Sequence, residues 1–334
     1  MGAVGNQRKN IVEWGRQFHR GEFMPEVQML AQENQCVMDA LFQPCNDGTT
    51  HLYRVQTALP TVQATAFGEG SPISKGASAQ ERAHCAMLTG FASVEEELSK
   101  IGGAQAQARA AEDANFAESL KQAFAEQLMY GNRSSNIRHI DGVCTLFNDK
   151  SGPKAKQFFN CGGATANGQT TAVLLNWGPD VYCTFPEGTA AGYMRQDLGR
   201  QVKTLASGNQ LVTLDTKHTW HIGFVNEAWQ SIARICNIDV AQLQAMSGNQ
   251  TATSALNVLN GMLTLRKRIR RPGRKVWYVN ETVWTWLMRC GMEKSSSAVK
   301  VEEAATQFGT FEQMTVFGTP VRLVDRILNT MAVI

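Results

Sequence analysis

At 334 residues, 43% of them hydrophobic and 18% charged, the chain has the length for one large or two modest domains and the apolar content for a real core. Its formal charge of +3 and pI near 8.4 exclude a wholesale polyanion binder but leave room for a local basic patch. Eight cysteines, at 36, 45, 85, 144, 161, 183, 236 and 290, form no CxxC and no metal-ligand spacing, which predicts reduced thiols in a chain made in a cytosol.

In chain order, residues 1 to about 22 are polar and basic without an apolar period, and read as an arm. From Met24 to Phe42 the positions Val27, Leu30, Val37, Leu41 and Phe42 share one helical face. Cys45-Asn46-Asp47-Gly48 then signals a turn. Residues 51 to about 92 mix β-formers with Leu59-Pro60, Gly68, Gly70, Pro72 and Gly76, and show almost no helical repeat. They predict a long hairpin arm whose partners lie on another chain or domain. Ser93 and Glu96 match a capping box for a short helix, and Gly102-Gly103 breaks it. A long helix follows over Ala104 to Tyr130, with Phe116, Leu120, Phe124 and Leu128 four apart and Gly131-Asn132 as its stop.

The second half reads differently. Gly178-Pro179-Asp180 between two apolar runs, 173–177 and 181–185, predicts a hairpin, and Ser207-Gly208-Asn209 a second one, with a strand over Leu211 to Phe224. Asn226 reads as the cap of a helix through Ile235, and Thr253 to Leu265 as another helix. Val276 to Val279 is a strand, Asn280 caps a helix through Arg289, and a strand pair surrounds Phe317-Gly318-Thr319-Pro320. The interspersed elements are α+β, without the βαβ rhythm of a doubly wound sheet.

Catalytic patterns fail one by one. His218 and His221 lie three apart on a strand and point to opposite faces. Glu95-Glu96-Glu97 suits the first turn of a helix. Gly68-x-Gly70 lacks the third glycine of a dinucleotide loop, and no Walker A, HExxH or GxSxG sequence occurs. The expectation is a protein that is not an enzyme and takes no cofactor or metal. No apolar run approaches the roughly 20 residues that span a bilayer, so no membrane partner is expected. The charge feature with weight is Arg266, Lys267, Arg268, Arg270, Arg271, Arg274 and Lys275, seven cations in ten residues. They are candidates for DNA phosphates or for an acidic partner such as Glu302, Glu303 or Glu95 to Glu97.

The ordered set LAQENQ (30–35), CNDGTTH (45–51), TALP (57–60), SKG (74–76), LMYGN (128–132), NWGPDVYCTFPEGTAAGYMRQDLG (176–199), IARICNID (232–239), VWYVNETVWTWLMR (276–289) and FGTPVRLVDRILNT (317–330) resembles the major capsid proteins of short-tailed DNA bacteriophages of the epsilon-fifteen and Bordetella-phage type. These belong to the tailed-phage capsid fold named after phage Hong Kong 97, and the resemblance runs from Met24 to the C-terminus. It implies a shell of hexameric and pentameric capsomers around packaged double-stranded DNA, in a virion made in a bacterial cytoplasm. Portal, scaffold and cement or decoration proteins would be partners. A separate scaffold protein or none is expected, because barely 22 residues precede the matching order of elements.

The resemblance also implies a division: an N-terminal arm (1–22), an N-terminal helix region (23–50), an extended loop (51–92), a peripheral domain with its spine helix (93–170, helix 104–130), a β-rich segment (171–250) and an axial domain (251–334), in a threading that some relatives rearrange. Candidate contacts between copies are Arg54, Leu59, Pro60, Lys75 and Arg82 on the arm, and Trp284 and Trp286 on a late helix. Some relatives weld copies by Lys–Asn bonds. Lys75 has no matching acid or Asn partner, so a noncovalent shell is expected. A cargo-enclosing shell of the encapsulin type and a DNA-binding protein using residues 266 to 275 are the alternatives.

Overall fold

The computed structural model describes residues 18–19, 22–23, 32–100, 105–204, 208–245, 253–292, 298–306 and 309–334. Phe18–His19 (β1) and Glu22–Phe23 (β2) pair with each other. Cys36–Asp39 is a short helix, α1, and Phe42–Pro44 (β3) is a strand beside it. The helix expected over 24 to 42 is therefore corrected at its end, where Phe42 pairs with Cys183 in a sheet; residues 24–31 lie outside the described ones.

Thr50–Ala58 (β4) and Ala77–Glu95 (β5) form the predicted hairpin. Glu96–Lys100 is α2, and Gln105–Tyr130 is α3, within one residue of its expected start. Ser93 lies inside β5, so it does not cap α2; Ser99 Oγ instead donates to Glu96 O at 2.7 Å. Val143–Leu146 is α4. The strands Phe158–Asn160 (β6), Gln169–Trp177 (β7), Val181–Phe185 (β8), Tyr193–Thr204 (β9), Gln210–Asn226 (β10) and Ile232–Asp239 (β11) follow. Val240–Ala245 (α5), Thr253–Arg268 (α6), Arg274–Val279 (β12), Glu281–Met292 (α7), Val299–Thr306 (β13), Gly309–Val316 (β14) and Thr319–Leu323 (β15) complete the chain. Asn280 caps α7 as read, its Oδ1 accepting from Val283 N at 3.0 Å.

Two sheets organise these elements. The first runs β3-β8-β10-β5-β4, with β9 sharing the β8 edge of β10; the second runs β13-β14-β15-β12-β7-β11-β6. Two expectations fall here. The turn at 178–180 is real, with Gly178 N donating to Val181 O at 3.1 Å, but β7 joins the second sheet and β8 the first. It carries the chain across the core instead of closing a hairpin. The helix expected from Asn226 to Ile235 is instead the end of β10, a single 3-10 turn over Trp229–Ser231 and the start of β11, every residue of which is buried. A strand covered on both faces reads as an unbroken apolar run, which periodicity alone cannot separate from a buried helix.

The second sheet is the clearest case of two-sided burial. Val173, Leu175, Val276 and Tyr278 face a core shared with α3 and the first sheet, while Leu174, Ala172, Trp277 and Val279 face a core closed by α6 and α7. Buried Arg234 on β11 ties these layers to α4, donating to Thr171 Oγ1 (3.0 Å), Cys144 O (3.2 Å) and Phe147 O (2.6 Å). On the first sheet, α3 lays Leu120, Phe124, Leu128 and Met129 into the shared core. Burying each large side chain contributes about 1.5–3 kcal/mol, which fixes a helix about 40 Å long whose own apolar stripe is narrow.

Candidate assembly interface

β5 serves two neighbours in turn. From Glu95 to Cys85 it pairs with β10 in the body of the first sheet, and from His84 to Ala77 it pairs with β4. The second half leaves the body as a two-stranded ribbon, which has no further layer against it among the described residues, and such a ribbon is marginal alone in water. Cross-strand bonds support it: Tyr53 OH donates to Glu81 at 3.0 Å and Arg54 Nε to Ser78 Oγ at 2.6 Å.

Beyond Ala58 the ladder stops and residues 59–76 form a tip. Ser74 Oγ donates to Thr61 O at 2.6 Å. A turn at its end has Glu69 N donating to Ala66 O, with Gly68 at φ +89°. Val62, Phe67 and Ile73 are each at least 90% exposed, and Leu59 is 76% exposed. Four large apolar side chains on one ordered projection form the kind of exposed patch that marks a contact with another molecule. Sequence reading found Leu59 and Pro60 here. It missed Val62, Phe67 and Ile73, which are isolated among turn residues; their lack of any apolar neighbour to pack on was the available signal.

Arg54, Leu59, Pro60, Lys75 and Arg82 are all exposed along this arm. The two tryptophans stand elsewhere. Trp286 is 4% exposed, in the core under α7, so the structure removes it as a surface contact; Trp284 is half-buried beside the same core.

The root of the arm is a fixed joint. Asn46 clasps β4, its Nδ2 donating to Leu52 O (2.8 Å) and its Oδ1 accepting from Leu52 N (2.7 Å). Tyr182 OH donates to Glu227 at 2.6 Å and meets His51 Nε2 at 2.9 Å. Burial first, then that carboxylate, pushes the Tyr182 phenol well above its ordinary range, so it stays a donor.

Between α3 and the first sheet lies a polar clamp. Arg109 pairs with Asp197 and Arg195 with Asp113, each at 2.6 Å. His218, fully buried, is sandwiched between the rings of Phe116 (5.0 Å, 7° between planes) and Tyr193 (5.9 Å, 12°), with Asp113 at 3.2 Å and Tyr193 OH at 2.7 Å. Burial lowers its pKa, outweighing the pull of Asp113. Nearby, a hydrogen bond from Arg200, then one from Lys100, holds the Glu96 carboxyl low. The backbone N–H of Gly199, then Arg109, does the same for Asp197. His221, on the opposite face of β10, is separate from this cluster, as the strand alternation required.

The basic stretch is largely engaged within the chain. Arg266 Nε donates to Thr319 Oγ1 (2.7 Å), Arg268 to the carbonyls of Lys156 and Phe158, and Lys275 Nζ to Ile269 O (2.6 Å). Arg271 pairs with Asp180 (2.5 Å), and Arg274 with buried Asp39. Lys267 and Arg270 are exposed and make no ion pair among the described residues. The basic stretch thus divides into cations engaged within the chain and these two exposed ones. The acidic candidates are also accounted for in part, since Glu96 pairs with Lys100 and Arg200 and Glu97 with Lys100. Among the described residues no three His, Cys, Asp or Glu side chains gather as a metal site, and no helix is long and apolar enough to cross a membrane.

The family model described as Major capsid protein GP7 matches residues 19–334. No curated protein matches the chain. Among solved structures, that of bacteriophage Epsilon15 is similar at 21% identity with a TM-score of 0.71, covering 100% of this chain and 99% of that one. The bacteriophage JBD30 capsid is 12% identical with a TM-score of 0.46, covering 97% and 96%. An encapsulin from Synechococcus elongatus is 11% identical with a TM-score of 0.44, covering 69% and 96%.

Proposed function

The chain belongs to the GP7 family of major capsid proteins, and from that premise we propose how it builds a shell: copies join as hexameric and pentameric capsomers that close around the packaged double-stranded DNA of a tailed bacteriophage. Its α+β fold is that of the tailed-phage capsid proteins of the Hong Kong 97 type. The observation that carries the proposal is the arm, which exposes Leu59, Val62, Phe67 and Ile73 on a ribbon that no layer covers among the described residues. In this reading the tip grips a neighbouring copy, with Pro60 beside Leu59 in the apolar contact and Arg54, Lys75 and Arg82 as its polar rim. The spine helix α3, clamped to β9 by Arg109 and Arg195, carries load between the arm root and the core.

The first sheet with α3 would form the peripheral part of each subunit, and the second sheet with α6 and α7 the axial part near the capsomer centre. Contacts between copies would be noncovalent and large, many weak contacts adding up to a stable particle. Lys267 and Arg270 would touch DNA phosphates without reading sequence. Portal protein, and a scaffold or cement protein where one is used, would complete the partners, and synthesis would take place in the host cytoplasm.

Sedimentation velocity of the full chain carrying Phe67→Ser and Ile73→Ser tests the grip. The double variant should stay as small species under conditions where the unaltered chain assembles. Equal assembly by both would remove the tip from the contact.

A further inference from the structure

We propose that Cys45 and Cys85 form a disulfide that closes the arm at its root into a covalent loop. The two sulfurs stand 3.1 Å apart, inside the contact distance of two unbonded sulfur atoms, and a bond requires them to approach to about 2.05 Å. Both cysteines are held where they are. Cys45 N donates to Phe185 O at 2.9 Å and Cys85 N to Thr49 O at 3.0 Å, and Cys85 Sγ also meets Thr184 Oγ1 at 3.3 Å. The space for Cys85 comes from Gly223 across the ladder, where a Cβ would lie 2.8 Å from the sulfur.

The position gives the bond its meaning. Cys45 precedes β4, and Cys85 is the residue at which β5 passes from β4 to β10, so the bond would enclose the whole arm, residues 46–84. Such a loop restricts the unfolded arm more than the folded one and so favours the ordered ribbon. Nothing in this depends on what the tip grips. Cys45 is buried and Cys85 half-buried, and burial pushes the Cys85 thiol up to about 12, which slows its attack on external disulfides while it is reduced. Oxidation removes one hydrogen from each sulfur. With diamide as the oxidant, both S–H bonds break, one S–S bond forms, and two protons and two electrons reduce the N=N bond to a hydrazine.

The test uses the full-length chain, reduced, desalted, treated with diamide, alkylated in denaturant and mapped as peptides. The expected product is a single cross-linked peptide pair, two hydrogens lighter than its parts, joining Cys45 to Cys85. In parallel, the native oxidised chain is nicked with trypsin in the exposed tip at Lys75. It should run as one chain without reductant and as two fragments with it, whereas Cys45→Ser and Cys85→Ser should each separate in both conditions. Two free, alkylated thiols at these positions after oxidation would overturn the proposal, as would a bond to Cys183 or between copies. The peptide map of the unaltered chain decides even where a serine variant fails to fold.

Discussion

Gly90 on β5 meets the edge of the Phe116 ring on α3: a Cβ built on it would stand 2.7 Å from Phe116 Cδ1 and 2.8 Å from Cε1. The face of the same ring is stacked on His218, with centroids 5.0 Å apart, so a shift of the ring would disturb that pair as well. The missing side chain at Gly90 is what leaves room for this ring of the spine helix against the sheet that carries the arm.

Gly90→Ala should therefore destabilise the chain by about 1–3 kcal/mol through overpacking. Gly70→Ala in the arm tip, where nothing lies within 4 Å, should change stability by less than about 0.5 kcal/mol. Urea unfolding of the two variants checks both, and equal midpoints would contradict the packing described.

Asp39 is buried against Tyr278 OH at 3.0 Å and pairs with Arg274 and Arg322, so it joins α1 to β12 and β15. Asp39→Asn keeps the shape but leaves two guanidinium groups without their counter-charge. Both are partly exposed, so the loss should be about 2–4 kcal/mol, below that of a fully enclosed pair. Arg274→Ala should cost less, since Arg322 remains to neutralise the carboxylate. Thermal or urea unfolding of the two variants ranks them, and the reverse order would contradict the shared-carboxylate arrangement.

Acid should loosen the clamp between α3 and the sheet in two stages. His218 has a lowered folded pKa, so its contribution is complete above the unfolded value near 6.5 and is lost as pH falls through the folded one. His221 and His84 shift the same way. Glu96 and Asp197 are also held low, so theirs is present above about pH 4 and disappears below it. Replacing the imidazole in His218→Gln should flatten the fall of Tm between pH 7 and 5 without abolishing it, and leave the lower stage intact. An unchanged slope in the upper window would show that His218 titrates as it does in the unfolded chain.

The division of the basic stretch predicts separable effects. Lys267→Ala with Arg270→Ala should leave Tm unchanged and reduce the salt slope of DNA association by about 0.9 for each phosphate no longer neutralised. Arg271→Ala should lower Tm instead, because it strips Asp180 of its partner. Calorimetry together with a salt titration of DNA binding distinguishes the two classes of cation.

The elements legible in sequence were those whose signal is local. The four-residue spacing of Phe116, Leu120, Phe124 and Leu128 located α3 almost to the residue, and turn chemistry with absent helical periodicity located the arm. Sheet membership is not local. Gly178-Pro179-Asp180 encodes a turn, but whether β7 and β8 pair or part is decided by β10 and β12, which come later in the chain. The cations at 266 to 275 likewise looked free because their partners, Asp39, Lys156, Phe158 and Asp180, are remote in sequence. In the arm, Val62, Phe67 and Ile73 carry no pattern because each is exposed among turn residues, with no periodic apolar partner along the sequence.

The grip of the arm is tested most directly by negative-stain electron microscopy of the full chain beside one in which residues 61–74 are replaced by a short turn. The intact chain should give closed shells or capsomer rings, and the shortened chain dispersed subunits with an unchanged circular dichroism spectrum. Shells of normal size and yield from the shortened chain would contradict the claim that the arm tip holds copies together.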